Sequence, residues 1–168
     1  NAPDAVSAML GRIAHRGPDG HGLFVSDDGW LALGHRRLSI IDLSAASHQP
    51  MVDDATGVAL AFNGEIYNFQ GLRATLVAAG HRFRSSGDTE VLLRAYIEWG
   101  IECVERLCGM FAFAIWDPRS RVVHLARDAM GMKPLYLCHG KGWVAFASEI
   151  KAFLALGAFA HSPNRFDR

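Results

Sequence analysis

The alternation of hydrophobic and polar positions predicts a chain rich in antiparallel hairpins. Three segments place a turn sequence of Asp, Pro, Gly or His between two apolar-rich runs. They are 23–34 around Asp27-Asp28-Gly29, 110–127 around Asp117-Pro118-Arg119-Ser120, and 135–147 around His139-Gly140-Lys141-Gly142. In one of these strands, 111–116, every position is apolar, so we expect it to be covered on both faces.

Apolar positions at helical spacing predict two well-bounded helices. Each has a capping residue before it and a glycine after it. They are 69–79 between Asn68 and Gly80, and 89–99 between Asp88 and Gly100. A third helix is expected over 5–13 and a fourth from about Ser148. Antiparallel sheet buried on both faces, with helices flanking it, predicts an α+β fold of stacked layers with the helices outside.

Composition narrows the class of protein. The 168 residues are 50% hydrophobic, which suits one globular domain. Lys plus Arg and Asp plus Glu each number 17, and neither sign forms a long run, which argues against a nucleic-acid or membrane partner. No apolar run reaches the roughly 20 residues that span a bilayer. Three cysteines without CxxC spacing argue against a disulfide framework or a zinc site and favour the cytoplasm.

The segment Phe62-Asn63-Gly64-Glu65 is the most informative candidate for chemistry. Asn-Gly is a strong turn signal, so a simple hairpin turn is one interpretation. In the other interpretation, the Asn63 side-chain amide and the Gly64 backbone N–H point at one position and form an oxyanion hole. Glu65 would then offer a carboxylate to a substrate ammonium.

Two other segments carry charged groups that could bind a ligand. Arg36 and Arg37 lie in an otherwise apolar segment, where a solvated or paired arginine is the simple interpretation and bidentate carboxylate binding the functional one. Asp88 is first of all a helix cap, and it is free for a ligand only if the helix does not occupy its carboxylate. The turns HRGPDG and RDAMGMKPLY would otherwise be structural.

Seven motifs taken in order resemble one family. They are HRGPDG, GHRRLSIIDL, FNGEIYN, SGDTEV, GMFAFAIWD, ARDAMGMKPLY and FASEIKAFL. In this order they resemble the N-terminal class II glutamine amidotransferase domain of glutamine-hydrolysing asparagine synthetases. The resemblance implies the N-terminal-nucleophile hydrolase fold, a four-layer αββα sandwich with two antiparallel sheets between helical layers. It assigns 1–157 to this domain and 158–168 to the start of a linker.

The same resemblance implies roles for individual residues. Arg37 would hold the α-carboxylate of glutamine, and Glu65 and Asp88 would hold its α-ammonium. Backbone groups near Leu38 and Ile40 would line the site. Asn63 and Gly64 would stabilise the tetrahedral oxyanion.

In this family the nucleophile is an amino-terminal cysteine whose own α-amine acts as the base. Residue 1 here is Asn, and Cys-Gly-Ile does not occur in the sequence. The first strand of the family fold also has no counterpart, so this polypeptide is expected not to hydrolyse glutamine. ATP and Mg²⁺ would belong to a C-terminal synthetase domain of the same protein that amidates aspartate. That domain and a second copy of the chain are the candidate partners besides glutamine, and this domain itself would need no cofactor or metal.

Two alternatives belong to other classes of protein. The chain could be a non-catalytic module that binds glutamine or mediates an interaction after loss of the cysteine. It could also be an unrelated hydrolase that uses Cys103, Cys108 or Cys138 as its nucleophile, although cysteines in such apolar segments are usually buried and inert.

Overall fold

A computed structural model describes residues 1–18, 20–37 and 48–156. The chain divides into two compact units, one formed by residues 1–38 and 134–168 and the other by residues 39–133. In both units the strands pair antiparallel and helices pack beside them. The predicted α+β class is therefore confirmed. No helix within the described ranges is long and apolar enough to cross a membrane.

The first unit combines one helix with two hairpins. Its elements are α1 (Ala2–Arg12), a 3₁₀ helix (Ala14–Arg16), β1 (Gly20–Val25), β2 (Ala32–Arg37), β7 (Tyr136–Gly140), β8 (Trp143–Ala147) and a 3₁₀ helix (Ile150–Leu156). Strand β1 pairs with β2, and β7 pairs with β8. Two of the three predicted hairpins are thus confirmed in this unit.

Helix α1 lies close against β2. A Cβ atom on Gly34 would come within 2.6 Å of the Val6 side chain and 2.9 Å of the Leu10 side chain. The Arg36 Nε–H also donates to the Leu10 carbonyl oxygen at 2.9 Å, so a side chain of the strand is hydrogen-bonded to the end of the helix. The strand that carries the two arginines is therefore held against the helix by both packing and hydrogen bonding.

The second unit is a four-stranded antiparallel sheet with two helices. Its elements are β3 (Met51–Val52), β4 (Ala59–Ile66), α2 (Phe69–Ala78), α3 (Asp88–Trp99), a 3₁₀ helix (Gly100–Arg106), β5 (Gly109–Asp117) and β6 (Val122–Arg127). The strand order is β3-β4-β5-β6, so the third predicted hairpin, β5–β6, is confirmed. The core forms between the sheet and the helices and contains Val58, Leu60, Phe62, Ile66, Leu76, Val91, Leu92, Leu93, Ala95, Tyr96, Cys103, Phe111, Phe113 and Ile115.

Strand β5 lies at the centre of this core. From Phe111 to Asp117 every residue is buried, on both faces of the strand. The fully apolar sequence of 111–116 correctly predicted this, because a half-solvated strand would place polar residues at alternate positions.

The predicted boundaries of α2, 69–79, agree with the observed helix Phe69–Ala78 to within one residue, but the predicted capping bond from Asn68 is not formed. The Asn68 side chain does not cap α2; its Nδ2 donates to the Arg106 carbonyl at 2.8 Å and its Oδ1 accepts from the Cys108 N–H at 3.0 Å. The third predicted helix begins earlier than expected, at Ala2, where the Asn1 side chain caps it. The fourth is a 3₁₀ helix.

Candidate functional site

Strand β4 carries the Asn-Gly pair in its interior. Asn63 lies opposite Ala112 and Gly64 lies opposite Phe111 in the antiparallel ladder with β5, which continues to Ile66. The hairpin-turn interpretation of Asn63-Gly64 is therefore wrong. Apolar residues before and after the pair keep the strand in the sheet, so tertiary packing overrides the local turn preference.

Glycine is required here because β4 and β5 approach each other closely. A Cβ atom on Gly64 would overlap the Met110 carbonyl oxygen and lie 2.7 Å from the Phe111 Cα. A Cβ on Gly109, from the opposite strand, would overlap the Glu65 carbonyl oxygen. The strand end that presents Asn63 and Glu65 is therefore fixed by backbone contact.

The Asn63 amide nitrogen is a buried hydrogen-bond donor that is not used within the described part of the chain. Its Nδ2 atom is buried and has no hydrogen-bond partner among the residues that the structure describes. Leaving such a donor unpaired costs about 1–3 kcal/mol. A ligand oxygen at this position would satisfy it, which is the requirement of an oxyanion hole.

Asp88 lies beside this strand end. Asp88 was predicted as the cap of α3, but the helix begins one residue earlier than predicted, so Asp88 is its first residue and Gly87 occupies the cap position. Its Oδ2 accepts the backbone N–H of Ile66 at 2.9 Å, so the carboxylate links α3 to the end of β4. Burial raises the pKa of the Asp88 carboxyl, and the negative charge of Glu65 raises it further, against the lowering effect of backbone N–H donors.

Glu65 is exposed, next to the buried end of β4. Its charge and that of Asp88 repel each other, which is one reason the pKa of Asp88 is raised. A cation bound near both carboxylates would remove that repulsion. The structure thus brings together four of the predicted site residues, namely Asn63, Gly64, Glu65 and Asp88.

Arg37 belongs to the first unit. It is the last residue of β2, opposite Gly20 of β1. The backbone of Gly17 packs on it, because a Cβ atom on Gly17 would lie 2.5 Å from the Arg37 nitrogen. The two remaining predicted site residues, Leu38 and Ile40, lie outside the described residues.

Sequence reasoning missed two residues that shape these strand ends. The Gln49 Oε1 accepts the backbone N–H of Phe62 at 2.6 Å, which pairs β4 beyond its last β3 partner, Leu60. Gly17 and its contact with Arg37 were also missed. No local signal marks Gln49, whereas the Gly-Pro pair after Arg16 at least marked a turn.

Two of the three cysteines, Cys103 and Cys138, lack the lowered thiol pKa of an activated nucleophile. Cys103 is buried, and burial raises the pKa of its thiol to about 11. Burial also raises the pKa of the Cys138 thiol. Cys108 is exposed. Within the described ranges, no group of three or more His, Cys, Asp or Glu side chains could hold a metal ion.

Comparison with known proteins identifies the family of this chain. The sequence model of a family described as "Glutamine amidotransferase domain" matches residues 1–166. The chain belongs to this family. It is 40% identical over 152 residues to asparagine synthetase [glutamine-hydrolyzing] 3 of Bacillus subtilis, covering 89% of this chain and 24% of that protein. It is 39% identical over 154 residues to the amidase chry2 of Gibberella zeae, covering 92% of this chain and 23% of that protein.

A solved structure shows the same fold. Glutamine phosphoribosylpyrophosphate amidotransferase from B. subtilis matches with a TM-score of 0.80 and 25% identity over 92% of this chain and 41% of that chain. The predicted N-terminal-nucleophile hydrolase fold and the resemblance to the amidotransferase domain of asparagine synthetases are confirmed. This amidotransferase domain spans about a quarter of the length of the curated relatives it matches.

Proposed function

We propose that this domain binds glutamine and, in a longer protein with a cysteine nucleophile, serves its hydrolysis to glutamate and ammonia. The observation that carries the proposal is the buried Asn63 Nδ2, a donor without a partner among the described residues. In a family named for glutamine amidotransfer, an amide carbonyl is the ligand group that such a donor fits.

The chemistry at Asn63 follows from where charge develops. Attack on the side-chain amide of glutamine converts its carbonyl oxygen into an oxyanion. A preorganised donor gains strength as that charge appears, and removing one such donor typically costs about 100-fold to 1000-fold in rate. Asn63 Nδ2 and the Gly64 backbone N–H are the two donors we assign to this oxyanion. Close packing of β4 on β5 supports the assignment, because it fixes both groups before substrate arrives.

The α-ammonium of glutamine is assigned to Asp88 and Glu65. Asp88 is partly buried with a raised pKa, and the ionised form is stabilised when a cation comes close. Each charged hydrogen bond of this kind contributes about 1.5–3 kcal/mol. The α-carboxylate is assigned to Arg37, whose guanidinium can bind it bidentately, with backbone groups near Leu38 and Ile40 completing the site.

The polypeptide of these 168 residues is expected to bind glutamine without hydrolysing it. An amino-terminal cysteine would provide both thiol and α-amine, and residue 1 is Asn. The raised thiol pKa values of Cys103 and Cys138 argue against an internal substitute.

We further propose that the complete protein is an asparagine-synthetase-type enzyme of the cytoplasm. Its C-terminal synthetase domain would use ATP and Mg²⁺ to activate aspartate, and ammonia from this domain would complete the amide. The similarity to the B. subtilis asparagine synthetase and the share of that protein that is covered support this assignment. A second copy of the chain is a further candidate partner.

The test is an NMR titration of the 168-residue chain with glutamine, a method that also measures weak binding. We expect saturable binding of L-glutamine, no comparable binding of D-glutamine, and no glutamate release. Asn63→Ala should weaken L-glutamine binding about tenfold, because the amide carbonyl loses its buried donor. Binding of both enantiomers alike, or an unchanged affinity in Asn63→Ala, would contradict the proposal.

A second measurement separates the enzyme from the binding-module alternative. The mature amino terminus of the native gene product would be determined by intact mass and sequencing. A terminal cysteine upstream of Asn1 supports the glutaminase. A native protein without that cysteine that still binds glutamine tightly would support the non-catalytic module.

A further inference from the structure

Two motifs that lie outside the proposed glutamine contacts meet in the first unit. HRGPDG begins with His15 and Arg16, and FASEIKAFL contains Glu149 and Lys151. The Glu149 Oε1 lies 2.8 Å from the His15 Nε2 and 3.2 Å from an Arg16 guanidinium nitrogen. Its Oε2 lies 3.1 Å from the Lys151 Nζ. Three basic side chains therefore converge on one carboxylate.

The charge state of Glu149 follows from these neighbours. Burial alone would raise the pKa of its carboxyl, but hydrogen bonds from His15, Lys151 and Arg16 hold the pKa at about 2. The group is therefore ionised throughout the physiological range. A carboxylate with three charged or polar donors is held in one position by them.

Hydrophobic packing brings Glu149 to this position. It lies directly before the 3₁₀ helix Ile150–Leu156, and its carbonyl accepts the Ala152 N–H at 3.1 Å. Ala152 and Phe153 are buried together with Met9 of α1. The packing of this helix on α1 thus places the carboxylate beside the residues that follow α1.

The turn that Glu149 holds touches the main chain of Arg37. After Arg16 the chain turns at Gly17, whose N–H donates to the Ala14 carbonyl at 3.2 Å. A Cβ atom on Gly17 would lie 2.5 Å from the Arg37 nitrogen and 2.7 Å from the Arg37 carbonyl carbon. The three atoms nearest to that Cβ position all belong to the backbone of Arg36 and Arg37, so a shift of the turn would move the last residue of β2.

We propose that Glu149 is a positioning residue for Arg37 and acts through Arg16 and Gly17. This inference rests on the proposed role of Arg37 as the group that binds the α-carboxylate of glutamine. To bind a carboxylate bidentately, an arginine guanidinium must be placed to within about 0.5 Å, which requires that the backbone of the arginine is held in place. Arg37 is the last residue of β2 and pairs with Gly20 of β1. The turn held by Glu149 adds a backbone contact to this pairing.

The first experiment measures the position of Arg37 without any ligand. In NMR spectra of the 168-residue chain, Glu149→Gln should shift the Arg37 backbone amide and Nε–H signals, while signals from α2 and α3 stay in place. Glu105→Gln removes the same charge at an exposed position and is the matched control. Unmoved Arg37 signals in Glu149→Gln would overturn the positioning role.

The second experiment couples Glu149 to Arg37 through glutamine binding. Glu149→Gln should weaken glutamine binding about fivefold in the wild-type background and should have no further effect in Arg37→Ala. A purely structural role would lower the unfolding free energy and would weaken binding equally in both backgrounds, so equal effects would overturn the proposal. Gly17→Ala would push its new Cβ atom directly into the Arg37 backbone, so it should reproduce the effect of Glu149→Gln.

The outcomes separate the two proposals. If the wild-type chain does not bind glutamine, the proposed function fails, and positioning of Arg37 for that ligand fails with it. If the wild-type chain binds and Arg37→Ala weakens binding, but Glu149→Gln leaves affinity unchanged, only the positioning role is overturned.

Discussion

The two ends of the β4–β5 ladder use polar side chains in opposite ways. At one end, where Ala59 pairs with Trp116 and β5 finishes at Asp117, the polar groups bond to one another. At the other end, between Asn63 and Ile66, a buried donor lacks a partner among the described residues and a carboxylate has a raised pKa. The same two strands thus support two different kinds of polar site.

The Asp117 end has the features of a structural cluster. Its carboxylate accepts from the Tyr96 hydroxyl at 3.0 Å and from the Arg119 guanidinium at 2.7 and 2.9 Å. The Arg119 hydrogen bonds are the main reason that the pKa of Asp117 falls to about 2. Burial and the bond to Asp117 raise the pKa of Tyr96 to about 12. Each group is stabilised in the form that it has at neutral pH.

The Asn63 end has the features of a binding site. Asp88 is held by the Ile66 N–H, yet burial and Glu65 make its ionised form less favourable. Polar groups in unfavourable surroundings of this kind are typical of binding sites, where a bound ligand can supply the missing interaction. The comparison teaches that satisfied hydrogen bonds and the direction of the pKa shift distinguish the Asp117 carboxylate from the Asp88 carboxylate, although both lie beside the same pair of strands.

The largest effect is expected from adding a methyl group at the binding end. Gly64→Ala would force its Cβ into the Met110 carbonyl oxygen and should cost about 3 kcal/mol of unfolding free energy. Gly71→Ala, in α2 with open space around it, is the matched control and should gain up to about 1 kcal/mol. Urea-induced unfolding measures both. A cost below that of an ordinary surface substitution would mean that β4 and β5 are not in close contact there.

A smaller loss of stability is expected at the structural end. Asp117→Asn should lower the unfolding free energy by about 2 kcal/mol at pH 7, since a buried charged acceptor for Tyr96 and Arg119 is lost. Asp54→Asn breaks an exposed pair with Arg84 and should have a much smaller effect on the unfolding free energy, because water screens the pair.

The pH dependence of Asp117 gives a second check. Its folded pKa is depressed, so its stabilisation is complete above the unfolded pKa of about 4 and is lost as pH falls towards about 2. The difference between wild type and Asp117→Asn in denaturant unfolding should shrink over that range. A difference that stays constant from pH 6 to pH 2 would be inconsistent with an ionised Asp117.

The smallest effect on stability, with a clear effect on binding, is expected at Asp88. Its folded pKa is raised, so its contribution to stability is present below the unfolded pKa and is lost as pH rises through the folded pKa. Asp88→Asn should therefore leave the unfolding free energy at pH 7 within about 1 kcal/mol of wild type, or raise it. Glutamine binding should weaken about tenfold, because the α-ammonium loses a charged partner.

Titration against pH sharpens the Asp88 prediction. Wild-type affinity for glutamine should fall as pH is lowered through the raised pKa of Asp88, while the affinity of Asp88→Asn should not follow that change. Calorimetry or NMR titration at several pH values measures both. If Asp88→Asn destabilises the chain as strongly as Asp117→Asn does, the contrast between the two ends is wrong.

The sequence alone determined much of this protein. Apolar runs broken by Gly, Pro and Asp predicted all three hairpins, and unbroken apolarity predicted that β5 is buried on both faces. The ordered motifs predicted the family and the fold. The hairpins and the burial of β5 depend on local propensity and on burial periodicity, both of which act over short stretches of chain, whereas the family and the fold came from the resemblance of the motifs.

Only the tertiary structure decided how individual polar residues are used. Asn63-Gly64 lies in a strand because β5 pairs with it, Asn68 bonds across to Cys108 instead of capping α2, and Asp88 bonds to the Ile66 N–H. Likewise, Glu149 meets Arg16 across 133 positions of the sequence. Such contacts depend on which distant groups the folded core brings within hydrogen-bonding distance, and local sequence carries no record of those distances.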